Sequence, residues 1–499
     1  MQLALADDSI THKPRLSSRK VLKHSARFIT SPSSPTETVV VAGASGFIGS
    51  ALPEVLADDY KLIGLSRTPG KARREPGGSA YQWRTTDLFS RKQTIEALQG
   101  ADRAIYLVHS LHPSARLTQG HVGDLDLICA DNFARAAKRH GIKHIVYLSG
   151  IVPSGHKDSP FLTSRLEVEK TLGAHGIPVT TLRTAMVLGP GSNATELLRE
   201  LVERLPVMAL PRWANTPFAP VARTDLVDLI ARILPDERFA GDSFDLAGPE
   251  TTTFRELLEM TATLMGHRRP MLALPWSLPG LSVRWMSRLS GRPIWQIQPI
   301  VESLQYELSH SHRELKSPEW NPRTPPRHAL QNATTSGAHE APEDTALIHR
   351  EQPRDVRAVH RLTLPPNTDA RWLAAEYVRW LPRFFWPLFY ARKREGDELH
   401  LGMHLIPWPL LVLEHDECAS RGDRQLFWIR RGILAHHFKY GRLEFRCVLD
   451  GSQALAAIHD FHPRIPWFLY RATQARVHHF IMHVFDRHLR RLEVEEIDP

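Results

Sequence analysis

The segment Gly43-Ala44-Ser45-Gly46-Phe47-Ile48-Gly49 sets three glycines at even spacing directly after the β-branched run Val39-Val40-Val41. A residue without a Cβ at Gly43 allows a sharp turn out of a buried strand, and Gly46 lets the backbone approach a diphosphate. Gly49 then lets the next helix pack close to the strand while its first N–H groups face the phosphates. Spacing alone also suits a plain structural turn. The strand before the glycines and the run Ala51-Leu52-Pro53-Glu54-Val55-Leu56 after them favour dinucleotide binding through Gly43, Ser45, Gly46, Phe47, Ile48 and Gly49.

The next apolar run, 60–65, ends in Ser66-Arg67, where a carboxylate would grip the ribose of NAD(H). Arg67, with Ser66, Thr68 and Lys71, would instead pair with a 2′-phosphate and lay its guanidinium on adenine, which favours NADP(H) over NAD(H). A solvated basic loop is the alternative reading of the same residues.

These side chains must be carried by alternating strands and helices. Strands are predicted at 80–83, 103–109, 142–148 and 179–183, with helices over 93–99 and 125–140 and a stop at Gly141. That alternation predicts a doubly wound parallel α/β sheet with ligand beyond its C-terminal strand ends. Asp87 and Leu88 then fall near adenine, and Val108, His109, Ser110 and Ser149 near the nicotinamide. A lobe built on 187–193, 218–227 and 243–265 would hold the substrate, with Met186, Val187 and Trp213 in its pocket wall. Residues 317–368, poor in large apolar side chains, read as a linker. Beyond it an aromatic helix over 370–390, antiparallel strands near 398–406, 410–414, 425–429, 442–449 and 454–460, and a helix over 465–492 predict an α+β, helix-grip-like unit around an apolar cavity. The domain boundaries so drawn are a disordered basic tail at 1–36, a dinucleotide domain with substrate lobe at 37–316, the linker, and a C-terminal domain at 369–499.

The chain has 499 residues and a formal charge of +9, with its basic residues spread along it. No nucleic-acid motif accompanies them, so no nucleic-acid partner is expected. The three cysteines lie far apart without metal or redox spacing, which fits a reducing compartment, and the cytoplasm is the expected location. No apolar run reaches the roughly 20 residues of a spanning helix. His479 and His483, at helical spacing with Asp486 beyond, could share a metal, but chance pairing explains them better and no metal is expected. The segment from Trp380 to Tyr390 can rest on a membrane surface or be buried against the C-terminal sheet, and burial is the expectation. The oligomeric state stays open.

The set formed by the glycine loop, Ser66-Arg67, Tyr147-Leu148-Ser149, Leu182-Arg183 with Gly189-Pro190-Gly191, and Ala247-Gly248-Pro249-Glu250 resembles the short-chain dehydrogenase/reductase superfamily over about 37–300. It is most similar to the atypical NAD(P)H-binding, NmrA-like group, and 369–499 resembles START or polyketide-cyclase lipid-binding domains. The resemblance implies a Rossmann fold and hydride transfer between NADP(H) and a small hydrophobic carbonyl, quinone or enone. It also implies a Tyr-x-x-x-Lys pair, yet Phe161 and Arg165 stand at those positions. Phe161 has no hydroxyl to donate a proton, while Arg165 can hold ribose or phosphate but cannot shuttle a proton near neutrality. His109 becomes the candidate catalytic acid, ahead of Tyr106, His112 and His156, with a structural histidine as the alternative. A non-catalytic NADP(H) sensor or scaffold, and a carrier of apolar molecules, are the competing functions.

Overall fold

The computed structural model describes residues 37–68, 78–109, 117–153, 159–275, 277–308, 315, 318–335, 356–394, 398–435 and 441–497. Lys71, Ser110, His112, His156 and the expected tail at 1–36 lie outside them.

The first unit is built on strands β1 (Thr38–Ala42), β2 (Lys61–Ser66), β3 (Tyr81–Thr85), β4 (Arg103–Tyr106), β6 (His144–Gly150), β7 (Val179–Thr184) and β8 (Ser243–Leu246). They form one parallel sheet in the order β8-β7-β6-β4-β1-β2-β3, so the strand order reverses between β1 and β4 and opens a crevice at their C-terminal ends. Val39, Val40 and Val41 are fully buried because both faces of β1 are covered. The chain therefore contains a Rossmann-like α/β sheet.

Helix α1 (Val122–His140) ends at Gly141, whose φ of 68° supplies the left-handed stop. This helix is buried nearly all round, its charged Asp124, Asp126 and Asp131 included. Part of that cover comes from the second unit. Strands β9 (Val356–Thr363), β10 (Phe389–Lys393), β11 (Glu398–Met403), β12 (Leu411–His415), β13 (Arg424–Arg431), β14 (Arg442–Val448) and β15 (Gln453–Phe461) form an antiparallel sheet in the order β10-β11-β12-β13-β14-β15-β9. One face of it packs Val359, Val448, Leu455 and Ala457 into the same cluster as Leu88, Phe89, Ile128 and Phe133 of the first unit. A short strand β5 (Leu117–Gln119) joins the sheet by pairing in parallel with Val356 to Ala358. Buried carboxylates on α1 meet arginines from that sheet: Asp124 pairs with Arg361 at 2.7 Å and Asp131 with Arg446 at 2.6 Å.

The other face of the antiparallel sheet carries helix α3 (Ala370–Phe384) and the long helix α4 (Gln474–Ile497). Tyr377, Trp380, Phe445 and Phe485 interlock there with ring centroids about 5 Å apart, so aromatic side chains fill the interior in which the sequence predicts an apolar cavity. Asp486 accepts from the Thr363 N–H at 2.8 Å and pairs with Arg490, so it caps a strand instead of joining His479 and His483.

Several boundaries move. Residues 317–368 do not read as linker throughout: Pro326–Thr335 is a helix that buries Ala329 and Leu330 in the lobe, and Val356–Thr363 is a sheet strand. Few apolar residues suffice there because neighbours already built supply most of the contact surface. The aromatic helix stops at Phe384, and Phe389–Lys393 is a strand. Trp380 is buried as expected, but Phe384 and Trp386 are exposed.

Candidate nucleotide-binding site

The glycine loop closes on itself. Gly43 has a φ of +90° and its carbonyl accepts the Gly46 N–H at 3.0 Å. A Cβ on Gly49 would lie 2.3 Å from that carbonyl oxygen and 2.7 Å from Ala44 Cα, so the following turn can pack this closely only with glycine. The helix after it is a short 3-10 turn, Gly49–Ala51, continued by Pro53–Leu56. The backbone N–H groups of Ser45, Phe47 and Ile48 have no acceptor among the described residues. Such a row of free donors at the reversal point of the sheet fits the diphosphate of a dinucleotide.

At the end of β2, Arg67 is exposed, while the buried Ser66 hydroxyl accepts the Thr68 N–H at 3.1 Å and shapes the turn. Ser66 and Arg67 thus stand beside the loop, with no acid in the ribose position.

Asp87 and Leu88 behave differently from their expected adenine contact. Leu88 is 7% exposed and belongs to the core under α1. Asp87 pairs at 2.7 Å with Arg357 of β9, whose guanidinium lies 4.8 Å from the centre of the Phe89 ring. The C-terminal sheet thereby reaches the end of β3, a contact that single-sequence spacing has no means of exposing.

On the nicotinamide side, Val108 is half-buried and Ser149, next to last in β6, has its hydroxyl 3.5 Å from the Tyr147 hydroxyl. Arg165, on helix α2 (Pro160–Gly173), is 2% exposed and is held by Asp126 of α1 and by Nδ1 of His109. The Phe161 ring, one helical turn earlier, lies 5.3 Å from the guanidinium carbon. Arg165 Nε has no partner among the described residues. The Asp126 carboxylate signals what sequence reasoning missed: a buried acid on a helix needs a buried cation, and Arg165 supplies it.

The same contact decides the state of His109. Loss of hydration around the ring and the adjacent Arg165 charge lower its pKa to about 4. One side of the residue is open to solvent, and with the Arg165 guanidinium against the other the imidazole is neutral near pH 7. With Nδ1 accepting from the guanidinium, the proton sits on Nε2. His109 is therefore a neutral hydrogen-bond donor, not the imidazolium acid expected from the sequence. Tyr106 is fully buried beneath Phe133, and burial raises its pKa well above the usual value.

In the adjoining lobe, Ile151 and Met186 begin an apolar cluster that continues to Trp213 and Met208. Beyond them a cavity of about 200 Å³ is lined by Leu201, Met208, Trp213, Phe254 and Trp285 among others. The Trp213 indole N–H donates to Ser282 Oγ at 3.2 Å.

Residues 43–210 match a family model described as NAD(P)H-binding. The chain carries an NAD(P)H-binding, Rossmann-like domain. It is 33% identical over 143 residues to the auxiliary protein GraX of Staphylococcus aureus, covering 29% of this chain and 42% of that protein. The chain thus matches less than half the length of that relative. It is 23% identical over 258 residues to sterol demethylase protein B of Methylococcus capsulatus, covering 48% of this chain and 77% of that protein. Among solved structures, an NADPH-dependent quinone oxidoreductase of Escherichia coli in complex with NADPH superposes with a TM-score of 0.47 at 20% identity, over 60% of this chain and 100% of that one.

Proposed function

We propose that the protein is an NADPH-dependent reductase of an apolar carbonyl, quinone or enone. The observation that carries this reading is the glycine loop, with unpaired Ser45, Phe47 and Ile48 N–H groups beside an exposed Arg67 and no ribose-binding acid. Bound NADPH would supply a hydride to the acceptor carbon. The chain's own residues then have two tasks. The loop N–H groups and Arg67 hold the phosphates, which fixes the nicotinamide end over the crevice between β1 and β4. His109, neutral and with its proton on Nε2, donates a hydrogen bond to the acceptor oxygen, where negative charge builds as the hydride arrives. Water delivers the balancing proton to that oxygen, since neither Phe161 nor Arg165 can. Arg165, clamped by Asp126, orients His109 and keeps it neutral.

The apolar cluster from Ile151 and Met186 to the lobe cavity supports an apolar acceptor. The name of one relative, sterol demethylase protein B, agrees with a polycyclic substrate. Measuring NADPH oxidation with a panel of quinones, enones and sterol ketones tests the reading, and tight NADPH binding without turnover on any of them would defeat it. A second reading rests on the replacement of the usual pair by Phe161 and on the closed Arg165–Asp126 contact. In it the protein binds NADP(H) as a redox sensor or scaffold, and its partner contacts differ between the two redox states.

A further inference from the structure

The end of the antiparallel sheet away from the β14–β15 turn gathers four chain segments. Strand register places Phe389 opposite Met403, Val412 opposite Arg431 and Val356 opposite Phe461. The C-terminus of α3, the β11–β12 loop, the chain after β13 and the turn after β15 therefore share this end. Backbone bonds tie them together, Ile433 N–H to the Pro409 carbonyl and Arg464 N–H to the Leu434 carbonyl, both at 3.2 Å.

The side chains presented there are unusual for a surface left in water. Trp386 is 75% exposed, Leu405 83%, Trp408 68% and Phe468 75%, with Phe384 and Leu469 also exposed. Scattered exposed apolar residues are ordinary, but indoles, phenylalanines and leucines concentrated at one end of a sheet are not. Charge is equally one-sided. Segments 383–394, 404–410 and 461–485 contain no Asp or Glu. Among the described residues, Arg383, Arg464, Arg471 and Arg476 are exposed and have no carboxylate partner.

We propose that this end of the C-terminal unit docks on an anionic lipid bilayer. The exposed Trp, Phe and Leu side chains enter the headgroup and upper acyl region, and the surrounding unpaired arginines meet lipid phosphates. A protein partner is a poorer fit, because the cations around the patch would need a dense acidic counterpart. No helix among the described residues is long and apolar enough to cross a membrane, so the contact is peripheral. Strand β5, next in sequence after the nicotinamide-side strand β4, pairs with Val356 to Ala358 at this same end of the sheet, a placement suited to an acceptor dissolved in the bilayer. Docking itself stands without that reaction.

The test is co-sedimentation of the full chain with phosphatidylcholine vesicles, with and without phosphatidylglycerol. The expected result is binding that requires phosphatidylglycerol, weakens with salt, and falls by about fivefold for each of Arg464→Gln and Arg471→Gln. The pair Trp386→Ser with Trp408→Ser is expected to weaken binding at least tenfold, with NADPH affinity and thermal unfolding unchanged as evidence of a folded protein. No binding to phosphatidylglycerol vesicles, or binding indifferent to these changes, overturns the proposal. So does self-association of the protein in solution that the two Trp substitutions abolish, since the face would then be a contact between copies of this chain.

Discussion

Replacing Arg446 by Met is the most informative perturbation of the contact between the two units. Its guanidinium is 2% exposed and donates to Asp131 at 2.6 Å, to Asn132 Oδ1 at 2.8 Å and to Glu444 at 2.6 Å. Removing one partner of a buried ion pair costs about 3–5 kcal/mol, because the desolvated charge left behind has lost its compensation. Here each carboxylate keeps another arginine, Asp131 with Arg135 at 2.8 Å and Glu444 with Arg424 at 2.7 Å. The lower end, about 3 kcal/mol, is therefore expected, roughly a hundredfold in the unfolding equilibrium. The assay is urea unfolding followed by hydrogen exchange of α1, because two packed units need not unfold in one step. The pH dependence gives an internal check. Against the cost of burial, Arg446 and its neighbours hold Asp131 and Glu444 below the ordinary carboxylate range. Carboxylates lowered on folding contribute stability above their unfolded pKa and lose it as pH falls towards the folded value. The gap between parent and Arg446→Met should thus be full near pH 7 and narrow below about pH 4. A loss under about 1 kcal/mol at pH 7, the worth of an exposed pair, would refute the buried-network account.

Arg67→Ala should weaken NADPH binding roughly tenfold, the contribution of one charge-assisted hydrogen bond, and leave NADH unchanged in calorimetry. Gly49→Ala should abolish nucleotide binding, because the new Cβ meets the Gly43 carbonyl at 2.3 Å, whereas Gly280→Ala, where a Cβ meets nothing within 4 Å, serves as the tolerated control. Asp126→Asn should destabilise the fold by about 3 kcal/mol by stranding the Arg165 charge, and Asp126→Leu with Arg165→Met should recover much of that loss in urea unfolding. With His109 held neutral down to about pH 4, acceptor reduction should show no histidine inflection between about pH 5.5 and 9. An inflection near pH 6.5 that His109→Gln removes would contradict the assigned state.

The parallel sheet and the loop were legible because their signals are local. Val39 to Gly49 holds strand, turn and helix start in one stretch, and α1 announces itself by its apolar stripe and Gly141. Strands β11 to β15 lie within a few residues of the bounds expected for them. What escaped depends on contacts between distant parts of the chain. Val356–Thr363 looks like linker because its partner is β15, a hundred residues later, and Leu117–Gln119 has meaning only beside it. Asp87 reads as an adenine contact until Arg357 arrives from the second unit. His109 reads as an acid until Arg165 is seen against its Nδ1. Trp386 reads as core because its composition resembles that of Trp380, and only the end of α3 at Phe384 turns it outward.

The central claim is that the loop and Arg67 form a working NADPH site. Calorimetric titration of the full chain with NADPH and with NADH, in the same buffer and salt, tests it most directly. Saturable NADPH binding at least tenfold tighter than NADH binding is the predicted result. Equal affinity for the two nucleotides would contradict the role of Arg67, and absence of binding to either would contradict the site itself.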